Sequence, residues 1–153
     1  MPTPDRATLE HWLQKARVTV ELCDHCEGLH LSDLRQLEGV VDSRLLVEPF
    51  GVLLTTGLEV RPMALMAIAA DLGRLSMDYP LLKLFLDIVD DATPQLVVSA
   101  IYPGAAGMTQ AQFADFLAAG LQATRELATE CLRLDYLFAG ESQAPLAPST
   151  RLH

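Results

Sequence analysis

The sequence has few basic residues and no long apolar run, and both shortages narrow the classes of protein to consider. Eleven lysines and arginines stand against twenty acidic residues, which gives a formal net charge of −9. Nucleic-acid binding depends on basic side chains that displace counterions from phosphates, so we expect no nucleic-acid partner. The longest apolar run, residues 63–70, is far shorter than the ~20 residues that span a bilayer. We therefore expect no membrane span, and because the net negative charge repels anionic membrane surfaces we expect no membrane partner.

Several signals of export and catalysis are also missing. The N-terminal segment MPTPDRATLEHW contains no basic patch followed by an apolar stretch, so we expect no secretory signal and a cytoplasmic protein. Three cysteines, an odd number, indicate reduced thiols rather than a disulfide framework. No histidine stands in a nucleophile motif, and Gly104–Gly107 is a linker rather than a phosphate-binding loop. We expect no enzyme and no catalytic residue.

What is present is enough apolar sequence for one packed core. Half of the 153 residues are hydrophobic, which excludes disorder for most of the chain. After Gly140 the sequence becomes rich in proline and small polar residues, which cannot build a core. We therefore predict one domain over residues 1–139 and a flexible C-terminal tail over residues 140–153.

The hydrophobic periodicity predicts an α+β fold. A first helix follows Thr3-Pro4-Asp5 and places Leu9, Trp12, Leu13 and Ala16 on one face. One strand then begins at residue 18 and resumes briefly at 28–31, and two more strands are predicted at 39–47 and 50–60. A helix at 62–75 follows, then strands at 82–89 and 95–102, and a last helix from Thr109 to about Phe138. The order is helix, three strands, helix, two strands, helix. Short turns favour a mostly antiparallel sheet in a two-layer sandwich.

Six sequence blocks occur in an order that resembles the YbjN family of bacterial proteins. They are ELCDHCEGLHL at 21–31, GVVD at 39–42, LEVRP at 58–62, AADL at 69–72, FLD at 85–87 and QLVV at 95–98. The resemblance implies a fold similar to type III secretion chaperones and a role in regulating bacterial sensory transduction, including stress responses, motility and surface polysaccharide, without an established enzymatic activity. Secretion chaperones are typically dimers that hold an extended partner segment, so the resemblance also implies protein binding.

The pair Cys23-x-x-Cys26, with His25 and His30 nearby, is the sharpest chemical motif. Structural zinc needs about four sulfur or imidazole ligands. His30 could be the third ligand, and the fourth would come from Cys131, His11, His153 or a second subunit. A tight turn whose cysteines pack as small hydrophobic residues is the favoured interpretation. A zinc-binding or thiol-redox protein is the alternative function, and otherwise we expect no cofactor.

Three aspartates, Asp87, Asp90 and Asp91, form a second cluster. Clustered carboxylates can hold a hard cation or act as an acid/base pair. These residues surround a predicted turn at Thr93-Pro94, where aspartate is expected for turn geometry and solubility. We favour a solvated turn.

Two features of the second helix bear on partner binding. Met63, Met66 and Met77 could face a variable partner because methionine adapts to different surfaces, but core filling is the favoured interpretation. Arg61, where a strand meets this helix, could anchor a partner carboxylate. Equally, it could bond a neighbouring carbonyl or pair with Glu59.

These features together favour a non-enzymatic regulatory or adaptor protein. Its hydrophobic content is high for a small acidic protein, which suggests that an apolar sheet face or helix groove meets another protein. We expect a protein partner, and a homodimer is plausible.

Overall fold

The computed structural model describes residues 3–22, 28–88 and 93–138. Three helices and six strands follow one another along this part of the chain. They are α1 (Arg6–Lys15), β1 (Val20–Leu22), β2 (Leu29–Leu31), β3 (Val40–Glu48), β4 (Gly51–Glu59), a 3-10 turn (Pro62–Ala64), α2 (Leu65–Asp78), β5 (Lys83–Asp87), β6 (Gln95–Tyr102) and α3 (Gln110–Arg133). The predicted tail, residues 140–153, lies outside the described residues.

The six strands form one sheet in the order β1-β2-β3-β4-β6-β5, and every neighbouring pair is antiparallel. β4 and β5 are joined through α2 and run parallel with β6 between them. α3 packs on β4 and β6, α2 packs on β5, and α1 packs on α3. The α+β class and the antiparallel sheet predicted from the sequence are confirmed.

The core lies between the sheet and the helices. Leu54 and Leu58 of β4 and Leu96 and Val98 of β6 are almost completely buried there. α3 comes so close that a Cβ at Gly120 would lie 3.0 Å from Leu54 Cδ2, so a side chain at this position would push the helix away from the sheet.

The predicted strand count is wrong in one place. The segment interpreted as a single interrupted strand forms two strands, β1 and β2, which pair antiparallel with Val20 opposite Leu31. The chain therefore reverses direction between them, and four strands precede α2. Each strand has only three residues, too few for a period of two to distinguish a hairpin from one bent strand.

The helix starts are largely as predicted. Asp5 caps α1 by accepting a hydrogen bond from the Thr8 N–H at 2.8 Å. Thr109 caps α3 in a reciprocal capping box with Gln112. In α1, Leu9, Trp12 and Leu13 are buried as expected, whereas Ala16 follows the last helical residue and is exposed.

α3 ends at Arg133, about five residues before the predicted end at Phe138. Asp135 adopts φ 67°, and the Tyr136 N–H donates to the Cys131 carbonyl while the Asp135 N–H donates to the Leu132 carbonyl. This hydrogen-bond pattern is a Schellman motif, which usually has glycine in the left-handed position. Because aspartate occupies that position here, the sequence carries no obvious stop signal.

The prediction that the α2 methionines fill the core is wrong. Met63 is 89% exposed, and Met66 and Met77 are each 81% exposed. Only Ile68 and Leu75 of α2 are fully buried, and they lie on the opposite side of the helix. Composition alone suggested a helix buried on most sides, whereas the helix has one buried stripe and one exposed apolar face.

Candidate functional site

The sheet has a second face that no helix covers in the part of the chain described. We call it the open face. It carries alternate side chains of four neighbouring strands, which point away from the helices. They are Asp42, Arg44 and Leu46 of β3, Leu53, Thr55 and Gly57 of β4, Gln95, Val97, Ser99 and Ile101 of β6, and Lys83, Phe85 and Asp87 of β5.

These side chains, with Val41 and Phe50, line a shallow groove of about 750 Å³. Much of its lining is apolar. Phe85 is 44% exposed, Phe50 is 45% exposed and Ile101 is 47% exposed. Large apolar side chains gathered in one exposed concave surface are typical of binding sites in soluble proteins.

The strand register arranges the open face in rows that cross the strands. Phe85, Val97 and Gly57 lie side by side in one apolar row. A Cβ at Gly57 would lie 2.5 Å from Gln95 Oε1, so the Gln95 side chain occupies the space that a side chain at position 57 would fill.

The next two rows alternate in polarity. Lys83, Ser99, Thr55 and Arg44 form a polar row, in which the Ser99 hydroxyl donates to Thr55 Oγ1 at 3.3 Å. Beyond it, Ile101, Leu53 and Leu46 form a second apolar row. Rows lie two residues apart along the strands, or roughly 6.8 Å. The open face thus presents apolar, polar and apolar bands at the spacing of alternate residues in an extended chain.

A network of charged side chains lies along the border of the open face, on the β2 side. His30 Nδ1 lies 2.9 Å from Asp42 Oδ2 and 3.0 Å from Asp42 Oδ1. Arg35 contacts Glu21 at 3.0 Å, and Arg44 lies 3.8 Å from Asp42. These groups are partly exposed, so their attraction is modest. They set a polar border on the apolar groove.

The predicted zinc ligands are only partly placed by the structure. His30 pairs with Asp42, Cys131 is buried in α3, and His11 is exposed on α1. Cys23, Cys26, His25 and His153 lie outside the described residues. Within residues 3–22, 28–88 and 93–138, no group of three or more histidine, cysteine or acidic residues could hold a metal ion. The zinc hypothesis therefore stays a prediction.

The aspartate cluster is likewise only partly visible. Asp87 is exposed at the end of β5 on the open face. Asp90 and Asp91 lie outside the described residues, so the prediction of a solvated turn remains untested.

Arg61 is used within the chain. Its guanidinium lies 2.7 Å from Asp135 Oδ2 and donates to the Asp135 backbone carbonyl at 3.2 Å. Of the alternatives left open by the sequence, bonding to a carbonyl is therefore correct, although the carboxylate it contacts is that of Asp135 rather than Glu59. The contact ties the end of α3 to the start of the 3-10 turn.

The densest cluster of ionisable groups joins α2 to α3. Arg74 contacts Asp71 and Asp78 at 2.8 Å and Glu130 at 3.0 Å, and the Tyr79 hydroxyl donates to Glu130 at 2.7 Å. Arg74 holds the pKa of Asp71 below its usual value, and the hydrogen bond from Tyr79 does the same for Glu130. Each group satisfies another, so the cluster has the properties of a structural network.

The remaining nucleophile candidate in the described residues is Cys131. Burial raises the pKa of its thiol to about 12, so the sulfur stays protonated while α3 is packed. A protonated, buried thiol is neither a good nucleophile nor an available metal ligand. The reactive-cysteine hypothesis therefore depends on Cys23 and Cys26.

Sequence reasoning anticipated an apolar sheet face in general terms but assigned no residue to it, and it interpreted Asp87 only as part of a solvated turn. β4 is apolar on both faces, because Leu53 alternates with Val52 and Leu54. A run of this kind is typical of a strand buried on both sides, so the period of two is obscured. Among the described helices, none is both long and apolar enough to cross a bilayer.

Three helices on one face of a six-stranded antiparallel sheet, with a partly apolar groove on the other, define an α+β sandwich with one open face in the described residues. The chain belongs to the YbjN family, whose model matches residues 5–133 and is described as "Putative bacterial sensory transduction regulator". It is 35% identical over 114 residues to the YbjN proteins of Escherichia coli strain K12 and Shigella flexneri, covering 74% of this chain and 72% of theirs.

A solved structure is also similar. The crystal structure of YbjN from E. coli, titled "a putative transcription regulator", superposes with a TM-score of 0.87 at 31% identity. The match covers 90% of this chain and 97% of that one. The predicted family resemblance is confirmed, and the family description makes a regulatory role plausible for this chain.

Proposed function

We propose that this protein is a non-enzymatic cytoplasmic regulator of bacterial sensory and stress signalling. It acts in the manner of a chaperone, by holding an extended segment of another protein on the open face. The observation that carries the proposal is the groove of about 750 Å³ with Phe50, Phe85 and Ile101 partly exposed in it. Exposed aromatic side chains supply much of the binding free energy in protein interfaces.

The alternating rows favour an extended partner segment. A chain that lies along the strands presents one side chain to the sheet roughly every 6.8 Å. Alternate side chains of this segment would then meet the Phe85 row, the Lys83 row and the Ile101 row in turn. A globular partner would have to match the concave surface by its overall shape, whereas an extended segment needs only the right alternation.

The net charge of this protein limits which partner segments can bind to it. The protein carries a formal net charge of −9, so its long-range field repels acidic proteins and attracts basic ones. Lys83 and Arg44 in the central polar row can still accept a polar or single acidic side chain at that position. The segment that fits best therefore has three side chains facing the sheet in the order apolar, polar and apolar, and it has no net negative charge.

The test compares the open face with an equally exposed apolar position elsewhere. Ile101→Glu places a charge in the second apolar row, and Leu134→Glu makes the same change at the end of α3, where Leu134 is 39% exposed. Both variants and the unaltered chain would be purified from native cells with their bound proteins, and quantified by mass spectrometry. Circular dichroism would confirm that each variant is folded.

We expect at least one protein to be recovered with the unaltered chain and with Leu134→Glu but lost with Ile101→Glu. Overlapping synthetic peptides from that protein should then identify a single extended segment that binds the purified chain. Equal recovery with all three chains, or equal loss with both variants, would contradict binding at the open face.

A further inference from the structure

β5 is one edge of the sheet, so its outer row of backbone N–H and C=O groups has no strand partner within the described residues. Exposed edges of this kind can pair with another chain, and proteins usually protect them with charges, bulges or a covering segment. β5 is regular and carries Phe85 at its centre, 44% exposed. Leu81 and Ile88, which flank the strand, are more than 60% exposed.

The sequence of β5 is complementary to itself. It reads Lys83-Leu84-Phe85-Leu86-Asp87, with a basic residue at one end, an acidic residue at the other and apolar residues between. When two copies pair antiparallel about Phe85, Lys83 lies opposite Asp87 of the partner subunit, and the same contact recurs at the other end. Leu84 lies opposite Leu86 of the partner subunit on the helix-covered face. Opposite charges and aromatic pairs at facing positions stabilise antiparallel strands.

The charges at the two ends of β5 are not used within the described chain. Neither Lys83 nor Asp87 forms an ion pair with another described residue, and both side chains are exposed. A lysine alone on an edge strand disfavours pairing. Here the acidic residue at the symmetric position converts the same lysine into a specific contact for a second copy in one register.

α2, which packs on β5, has an exposed apolar face of its own. Met63 of the 3-10 turn is followed at intervals of three and four residues by Met66, Ala70, Gly73 and Met77 of α2, the spacing of a helix seam that packs on another helix. A Cβ at Gly73 would meet nothing within 4 Å, so packing inside this chain does not explain a residue that weakens a helix. Close approach of a second helix would explain it.

Strand pairing alone makes a small interface. Pairing of a five-residue strand buries less than the roughly 800 Å² per partner of a typical specific interface. α2 has 14 residues, which corresponds to about 21 Å of helix length, and its exposed apolar side chains offer a second surface for contact. Because α2 lies beside β5, one twofold axis can bring both surfaces of two subunits together.

We propose that two copies of this chain form a symmetric dimer through antiparallel β5 pairing centred on Phe85, supported by the methionine face of α2. The dimer joins the two sheets edge to edge and leaves the open face of each subunit accessible. Lys83, Phe85 and Asp87 also line the groove. The dimer uses them at the edge of the sheet, and its test is the association constant of the purified chain, which does not depend on a bound partner segment.

Charge exchange at β5 tests the register. Lys83→Asp puts two aspartates opposite each other at both ends of the interface, and Asp87→Lys does the same with two lysines. We expect each single variant to weaken dimerisation about tenfold or more, and Lys83→Asp combined with Asp87→Lys to restore it. Sedimentation equilibrium would measure the association constant, with Lys15→Asp on exposed α1 as a control for net charge.

A monomeric unaltered chain at about 100 μM would overturn the proposal, as would a dimer indifferent to either single variant. Failure of the double variant to restore association, while its circular dichroism is unchanged, would overturn the register.

Oxidative cross-linking provides a second test that needs no charged substitution. In a chain with Cys23→Ser and Cys26→Ser, Phe85→Cys places two thiols opposite each other across the twofold axis, within reach of a disulfide. We expect a covalent dimer with this variant. Phe50→Cys, at a position equally exposed on the open face, should stay monomeric on a denaturing gel. Equal cross-linking of both variants would contradict β5 pairing.

Discussion

The two faces of the sheet are built from the same strands but meet different surroundings. On β4, Leu54 and Leu58 are buried on the face that the helices cover, whereas Leu53 and Gly57 line the groove of the open face. An antiparallel sheet with one solvated face normally alternates apolar and polar residues. Here the solvated face keeps apolar rows as well, so the apolar content of this chain exceeds what its core requires.

The largest expected difference between the faces is in the cost of removing a leucine. Leu54→Ala opens a cavity under Gly120 of α3, so we expect unfolding free energy to fall by about 2–5 kcal/mol. Leu53→Ala, the adjacent residue on the open face, should cost about 1 kcal/mol or less. Urea denaturation of both variants would measure the difference. Similar losses would mean that the open face is covered in solution.

A smaller effect is expected from a hydroxyl pair on the helix-covered face. Ser43 and Thr56 are both buried, and their hydroxyl oxygens lie 2.9 Å apart. Thr56→Val leaves the Ser43 hydroxyl without this partner and should cost about 1–3 kcal/mol.

Adding Ser43→Ala removes the unsatisfied hydroxyl, so the double variant should recover part of the lost stability. A double-mutant cycle by urea denaturation would measure the coupling. Additive losses would show that the two hydroxyls do not depend on each other. On the open face, Ser99→Ala breaks a longer, partly buried hydrogen bond to Thr55, at 3.3 Å, and should have a smaller effect.

The smallest expected effect is the dependence of stability on pH. The pKa values of Asp71 and Glu130 are lowered in the folded protein, by Arg74 and by the hydrogen bond from Tyr79 respectively. Such carboxylates stabilise the fold fully above their unfolded pKa values, near pH 4, and this contribution is lost as pH falls through the lowered folded values.

Glu130→Gln should therefore make the urea midpoint fall less steeply between pH 5 and pH 2.5, because one of the two carboxylates no longer titrates. Glu126→Gln, on the exposed side of α3, is the matched control. Parallel curves for Glu130→Gln and the unaltered chain would show that the network between α2 and α3 contributes nothing to acid sensitivity.

Most of the fold could be predicted because its signals are local. A few neighbouring residues determine each of three features, which are the cap at Thr109, the turn between β3 and β4, and the helical spacing of apolar residues along α3. The division of β1 and β2 and the end of α3 at Asp135 could not be predicted, since three-residue strands have no clear period and aspartate rarely occupies a left-handed cap.

The candidate site was harder to predict because it depends on which face of each element is covered. Met66 and Ile68 are both apolar, yet one is 81% exposed and the other is buried, and the position of α3 and the sheet decides between them. Residues of the open face such as Phe85 come together only through the strand order, which places β6 between β4 and β5. Cys23 and Cys26 remain a prediction from spacing alone.

That strand order has a consequence for how the chain folds during synthesis. The four strands before α2 pair with their neighbours in sequence, so they can assemble as soon as each emerges from the ribosome. β5 has no neighbour to pair with until β6 is made and inserts beside β4. For that interval an apolar strand stays unpaired, because the strand that joins it to the rest of the sheet, second from the edge, is the last of the six to be made.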